Sequence, residues 1–222
     1  MNLADRLAAV QTGVADAAAR AGRDPGSIST IVVTKFHPAQ LVRDLYELGV
    51  RDFGESRHQE AQPKVAELAD LGALGDPATW HFIGQLQSKK AKQVAAYADV
   101  VHSFDRDALV GPLAGSRVFI QVNLTDDADR GGAAPADLER LAGLALEGGL
   151  EVLGLMAVAP LGEEPRAAFA RVRELSERLV RTAPGATALS MGMSGDYADA
   201  ILEGATHLRI GTAITGNRPA KG

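Results

Sequence analysis

The 222-residue sequence contains no cysteine. That excludes a disulfide framework, a thiolate metal site and a cysteine nucleophile, and it suits a reducing compartment. Aromatic residues are scarce, with one Trp, three Tyr and six Phe, too few for a base-stacking platform. Positive charge is not in excess: 23 Lys+Arg stand against 28 Asp+Glu, for a formal net charge of -5. A basic surface for nucleic acid or another polyanion is therefore not expected. No uninterrupted apolar run reaches the ~18 residues that read as a membrane span. Met1 to Arg20 carries Asp5, Arg6, Asp16 and Arg20 among Leu3, Leu7, Val10 and Val14 at helical spacing. This is an amphipathic helix and not a signal segment. The expectation is a soluble, cytoplasmic protein.

What is present is an ordinary globular composition, 46% hydrophobic and 23% charged, long enough to bury a sizeable core. Short apolar runs alternate with longer amphipathic ones. The strand-like runs are Ile28–Lys35, Val50–Gly54, Trp80–Gly84, Val100–Phe104, Val118–Asn123, Val152–Val158, Ala188–Met191 and Leu208–Gly211. Between them lie helix-like stretches at Pro38–Leu48, Arg57–Ala69, Lys89–Tyr97, Arg106–Leu113, Pro135–Leu146, Pro165–Val180 and Asp196–Glu203. Proline suits a first helical turn, Ser194 suits an N-cap, and Gly49, Gly148 and Gly204 suit helix C-termini. Eight such alternations predict the α/β class and a single (β/α)8 TIM barrel with an extra N-terminal helix. A doubly wound sheet also fits the count, but no Gly-rich dinucleotide fingerprint follows the first strand. With no linker or composition shift, residues 1–222 read as one domain.

Barrel chemistry gathers at the carboxyl ends of the strands. Those ends carry Lys35, Glu55 and Ser56, His81 and Gly84, Ser103, Asn123, Met156, Ser190 to Gly195, and Arg209, Gly211 and Thr212. A lysine closing a buried strand is expected in a partly desolvated place, which frees its amine to attack a carbonyl. It also reads as a lysine that merely snorkels to the rim. Ser-Met-Gly-Met-Ser-Gly-Asp at 190–196 and Arg-Ile-Gly-Thr-Ala at 209–213 fall after the seventh and eighth strands, where barrels of this kind bind phosphate. The same residues also make serviceable turns. Arg209, between Leu208 and Ile210, points inward and needs either an internal carboxylate or a ligand atom. His81 is a ligand contact or a satisfied core residue. Lys89, Lys90 and Lys92 at a helix start read as a solvated face. His37, His58, His102 and His207 lack metal-ligand spacing, so no metal site is assigned.

Taken together, several segments carry a resemblance. They are Thr-Lys-Phe-His-Pro at 34–38, Phe-Gly-Glu-Ser-Arg at 53–57, His-Phe-Ile-Gly-Gln-Leu-Gln-Ser-Lys-Lys at 81–90, Gln-Val-Asn at 121–123 and Gly-Leu-Met-Ala-Val at 154–158. Ser-Met-Gly-Met-Ser-Gly-Asp at 190–196 and Arg-Ile-Gly-Thr-Ala-Ile at 209–214 complete the set. In this order the sequence closely resembles the pyridoxal phosphate homeostasis protein family, which is similar in fold to the N-terminal barrel of alanine racemase. The resemblance implies that Lys35 holds pyridoxal 5'-phosphate (PLP) as a lysine aldimine. It implies Ser194, Gly211 and Thr212 as phosphate ligands and Arg209 as the partner of the pyridine nitrogen. Ser190 and Gly192 would lie beside the cofactor, and His81, Met156 and Ser56 would line its pocket. The sequence departs from the family at Ser56 and Lys89, where Asn is usual, and at Thr215, where Phe is usual.

A cationic arginine beside the pyridine nitrogen disfavours its protonation and makes the cofactor a poorer electron sink. Racemisation also needs an acid or base on the second face of the substrate. In alanine racemase that group is similar to a tyrosine from the other subunit, packed with a β-domain not expected here. Tyr46, Tyr97 and Tyr197 fall in helix-like segments and offer no obvious substitute. The resemblance thus implies a PLP carrier with no catalytic residue, serving vitamin B6 and amino-acid homeostasis and supplying PLP-dependent apo-enzymes; the low net charge and the absence of an expected β-domain suit a monomer. The alternatives are a single-domain amino-acid racemase or related PLP enzyme, and a barrel for another phosphorylated metabolite.

Overall fold

The computed structural model describes residues 1–71, 75–127 and 130–218. Eight parallel strands close into a barrel in chain order, with β8 returning to pair with β1. The strands are β1 (Ser29–Val33), β2 (Asp52–Glu55), β3 (Thr79–Phe82), β4 (Val100–Phe104), β5 (Arg117–Gln121), β6 (Glu151–Met156), β7 (Ala188–Ser190) and β8 (His207–Ile210). The helices are α1 (Leu3–Arg20), α2 (Ala39–Glu47), α3 (His58–Glu67), α4 (Ser88–Ala95), α5 (Leu138–Glu147), α6 (Pro165–Leu179), α7 (Tyr197–Leu202) and α8 (Thr212–Thr215). The barrel expected from the alternation is the fold observed, with α1 as the extra N-terminal helix. Among the described residues no helix is long and apolar enough to cross a membrane.

Sequence explains most of these elements locally. Asn2 and Asp5 form a reciprocal capping box that starts α1, and Leu7, Val10, Val14, Ala17 and Ala18 give it one buried stripe. Each fully buried side chain of Val or Leu size contributes about 1.5–3 kcal/mol over an exposed one. In α6, Glu164 accepts from the Ala167 N–H at 2.9 Å and Pro165 sits in the first turn. Its apolar positions Ala168, Phe169, Val172 and Leu179 face the core. Strands of a closed parallel barrel are covered on both faces; all five residues of β4 are buried accordingly.

Four local expectations are corrected. Arg106–Leu113 is not an α-helix but two 3-10 turns, Asp107–Leu109 and Gly111–Leu113. Pro112 lacks the N–H that a continuous helix would use, so the second turn restarts around it. Ser194 is not an N-cap; Asp196 precedes α7, and its carboxylate accepts from the Met193 N–H. After α5 the left-handed residue is Gly149 (φ +78) and not Gly148 (φ -79). Finally, α8 after the last strand was not foreseen, because four residues leave no periodicity to read.

Two apolar clusters result. The larger joins helix residues such as Val42, Val94 and Phe169 to strand residues such as Val32, Phe53 and Leu155. The smaller gathers Val100, Phe119 and Met156. Beside this second cluster the packing is polar: Phe119 stacks on His102 at 4.5 Å and meets His207 edge-on at 5.1 Å.

Candidate ligand site at the carboxyl ends of the strands

β1 stops at Val33, two residues short of Lys35. The chain turns there: the His37 N–H donates to the Thr34 carbonyl at 3.1 Å, and Phe36 takes a left-handed φ of +68. Lys35 is therefore exposed at the rim and has no hydrogen-bond or ion-pair partner among the described residues. The partly desolvated setting expected for it is not observed, because the strand that would have buried it ends too early. Its base is fixed all the same. Buried Lys64 donates from Nζ to the Thr34 carbonyl at 2.9 Å and pairs with Glu55 Oε1 at 2.5 Å. Thr34 Oγ1 donates to the same carboxylate oxygen at 2.8 Å. Burial holds the Glu55 carboxyl above the ordinary glutamate value, while Lys64 and Thr34 pull it back.

Across the barrel seam, the loops after β7 and β8 lie against each other. The Arg209 N–H donates to the Gly192 carbonyl at 3.0 Å, and Ser194 Oγ accepts from the Ala213 N–H at 3.4 Å. Gly192 has to be glycine: its φ is +93 and a Cβ would stand 2.7 Å from that of Ala200. The backbone N–H groups of Ser194, Gly195, Gly211 and Thr212 donate to no acceptor among the described residues. Unpaired N–H groups converging from two loops, with a serine hydroxyl among them, are the donor set of an anion cradle.

Arg209 rises from β8 into the interior and is only 5% exposed. Its partners are neutral: Nη1 donates to Ser190 Oγ at 2.7 Å and Nη2 to the Ala157 carbonyl at 2.8 Å. Nε has no acceptor among the described residues. Burial pulls the guanidinium down to about 10, with Asp196 acting the other way. At neutral pH it remains a cation, with the Nε–H among its uncommitted donors.

The arrangement thus offers an unpartnered primary amine, an anion cradle and a fixed cation, all at one end of neighbouring strands. The profile of the alanine racemase N-terminal domain family matches residues 7–219. The pyridoxal phosphate homeostasis protein of Pseudomonas aeruginosa is 43% identical over 228 residues, covering 97% of this chain and 96% of that protein. The chain belongs to the pyridoxal phosphate homeostasis family. PipY of Synechococcus elongatus, solved with PLP bound, is 38% identical with a TM-score of 0.81, and the match covers 97% of this chain and all of that one. Alanine racemase from Corynebacterium glutamicum matches at 16% identity and a TM-score of 0.67, over 96% of this chain and 62% of the racemase. That likeness is one of fold.

For a family defined by PLP, the groups assembled here suit the cofactor by their own chemistry, since amine, phosphate cradle and cation are complementary to an aldehyde, a phosphate and a ring nitrogen. The remaining residues singled out in the sequence are placed as follows. Ser190 ends β7 and Met156 ends β6, paired in register beside Arg209. Ser56 follows β2 and lines a shallow cavity with His58, Gln85 and Lys90 that includes no residue of the β7 and β8 loops. Its carbonyl is approached so closely by Gly84 that a Cβ there would stand 2.0 Å away. His81 is buried, with Nδ1 2.9 Å from His102 Nε2 and Nε2 2.9 Å from Asp52 Oδ1. Both ring nitrogens are taken by protein. Sequence reasoning missed Lys64, whose helix position reads as solvated, and His102, whose partners stand 21 and 88 residues away.

Proposed function

We propose that this chain holds PLP at the rim of the barrel, with Lys35 Nζ as the attachment point for the aldehyde. In this reading the N–H groups of Ser194, Gly195, Gly211 and Thr212, with the Ser194 hydroxyl, take the phosphate. Arg209 faces the pyridine nitrogen. Ser190, Gly192 and Met156 lie alongside, and Ser56 and His81 belong to the outer surroundings. One observation carries the assignment: an exposed strand-end amine stands across the seam from four N–H groups, and none of them has a partner among the described residues.

When bound, PLP supplies an aldehyde that exchanges between amines and a ring that accepts electron density. Arg209 keeps a proton off the ring nitrogen by like-charge repulsion, which suits holding the cofactor better than carbanion chemistry. Lys64 and Glu55 keep the backbone under Lys35 still, so that the amine swings from a fixed point. Lys35 stands open to solvent, within reach of outside amines. The function inferred is custody of PLP in the cytoplasm for vitamin B6 and amino-acid homeostasis, by a monomeric single-domain carrier that passes the cofactor to apo-enzymes.

Borohydride treatment of protein loaded with PLP tests this. The expected result is permanent attachment to the Lys35 peptide by mass spectrometry and none in Lys35→Ala. Attachment undiminished in Lys35→Ala, or absent in the wild type, overturns it. The chiral composition of L- and D-amino acids incubated with the loaded protein separates custody from catalysis: turnover well above that of free PLP makes the protein a racemase.

A further inference from the structure

Two histidines buried beside Arg209 remain unexplained by PLP binding. His102 on β4 is fully buried and His81 on β3 is 3% exposed. They belong to a continuous chain of short contacts. Arg209 Nη1 donates to Ser190 Oγ at 2.7 Å, and Ser190 Oγ lies 2.8 Å from His102 Nδ1. His102 Nε2 lies 2.9 Å from His81 Nδ1, and His81 Nε2 lies 2.9 Å from Asp52 Oδ1. Asp52 opens β2, at the amino end of the strands, and its side chain is 33% exposed.

With both imidazoles neutral, the carboxylate end sets the direction of every bond in the chain. A guanidinium only donates and a carboxylate only accepts. With one proton per contact, Ser190 donates to His102 Nδ1, His102 Nε2–H to His81 Nδ1, and His81 Nε2–H to Asp52. Both imidazoles are then neutral Nε2–H tautomers. The groups facing His102 are His81 on β3, Phe119 on β5, Ser190 on β7, and His207 and Arg209 on β8. Burial first, then electrostatic coupling to His81, Arg209 and His207, holds His102 well below the ordinary histidine value. Arg117 on β5 and Asp52 lie near His207, and Asp196 near Arg209.

We propose that His102 and His81 are positioning residues for the Ser190–Arg209 end of the site, joined into a one-way hydrogen-bond wire that ends on Asp52 at the opposite rim of the barrel. The proposal rests on Arg209 and Ser190 facing the bound cofactor. The wire has a defined response to one extra proton. A proton arriving on Ser190 Oγ sends the hydroxyl's own proton to His102 Nδ1. The His102 Nε2 proton passes to His81 Nδ1, and the His81 Nε2 proton becomes shared with the Asp52 carboxylate. The interior gains one proton and no bond between heavy atoms changes. His102 then donates to Ser190, whose hydroxyl turns away from it toward the ligand side.

The first test needs no cofactor. In apo-protein carrying 15N-labelled histidine, imidazole NMR at neutral pH is expected to show His102 and His81 as neutral Nε2–H tautomers. An Nδ1–H tautomer or an imidazolium at His102 overturns the wire. Asp52→Leu, at the half-exposed rim, removes the terminal acceptor and is expected to redistribute both tautomers with the circular dichroism unchanged. Unaltered tautomers in that variant also overturn it. The second test uses PLP. His102→Asn keeps a polar partner for Ser190 and cuts the link to His81. It is expected to weaken PLP binding about tenfold, the scale of a hydrogen bond to a charged group, and to alter the pH profile of the bound-PLP absorption band. A profile and affinity equal to the wild type refute the positioning role; Asp52→Leu supplies the same readout if His102→Asn does not fold. Failure of the wild type to bind PLP would instead refute the cofactor assignment and leave the tautomer result standing.

Discussion

Lys64 and Arg209 are both buried cations, 8% and 5% exposed, yet they are treated in opposite ways. Lys64 meets a carboxylate at 2.5 Å and a backbone carbonyl at 2.9 Å, so its charge is consumed inside the protein. Among the described residues Arg209 bonds only a hydroxyl and a carbonyl, so its charge is held in place without being cancelled. An unneutralised buried charge is costly. A fold that keeps one beside four unpaired N–H groups reserves it for something that arrives from outside. The contrast separates a cation that builds the site from a cation that serves it.

The largest effect should come from breaking the neutralised pair. Lys64→Met leaves the Glu55 carboxylate buried with Thr34 alone, and should cost about 3–5 kcal/mol of stability in urea unfolding at neutral pH. Glu55→Gln combined with Lys64→Met should recover most of that loss, and failure to recover would show the two side chains to be uncoupled. The next effect is one of pH. Burial, reinforced by His81, pushes His207 down to about 4, with Asp52 opposing. In the unfolded chain a histidine takes its proton near 6.5. The resulting stability is present above that value and is lost as pH falls toward about 4, a decline on the order of 3 kcal/mol. His207→Gln should flatten the unfolding midpoint across that window. Arg209→Met should have the smallest effect on stability, about 1–2 kcal/mol for two neutral acceptors left without a donor. Its effect on PLP affinity should exceed that of Lys64→Met measured under conditions where both remain folded. A reversed order would undo the distinction between builder and server.

How far the sequence could be read follows from the same distinction. The barrel was legible because alternating apolar runs encode strands and helices locally, and the Gly- and Ser-rich loops were legible because turn chemistry is local too. Lys35 and Arg209 stood out as charges inside apolar runs. Lys64 did not, since a lysine between Pro63 and Val65 in α3 looks like any solvated helix residue. Only the fold brings Glu55 beneath it. The Asp52–His81–His102–Ser190 chain was hidden for the same reason, because its members lie on four strands and meet only when the barrel closes. The expected burial of Lys35 failed through a boundary: the strand ends at Val33, two positions before Lys35, and sequence reading does not resolve strand ends so finely.

The pairing of β8 with β1 has one more consequence. The amine belongs to the first strand's turn, while the cradle and the cation belong to the last two strands and their loops. During synthesis the amine leaves the ribosome some 170 residues before Arg209 does (about nine to thirty-five seconds at ordinary translation speeds). No partly made chain can offer both halves of the site. A ligand bridging Lys35 and the Gly211–Thr212 loop would engage only a chain whose barrel has shut, and would then act as a clasp across the seam, resisting its reopening in proportion to how tightly it is held.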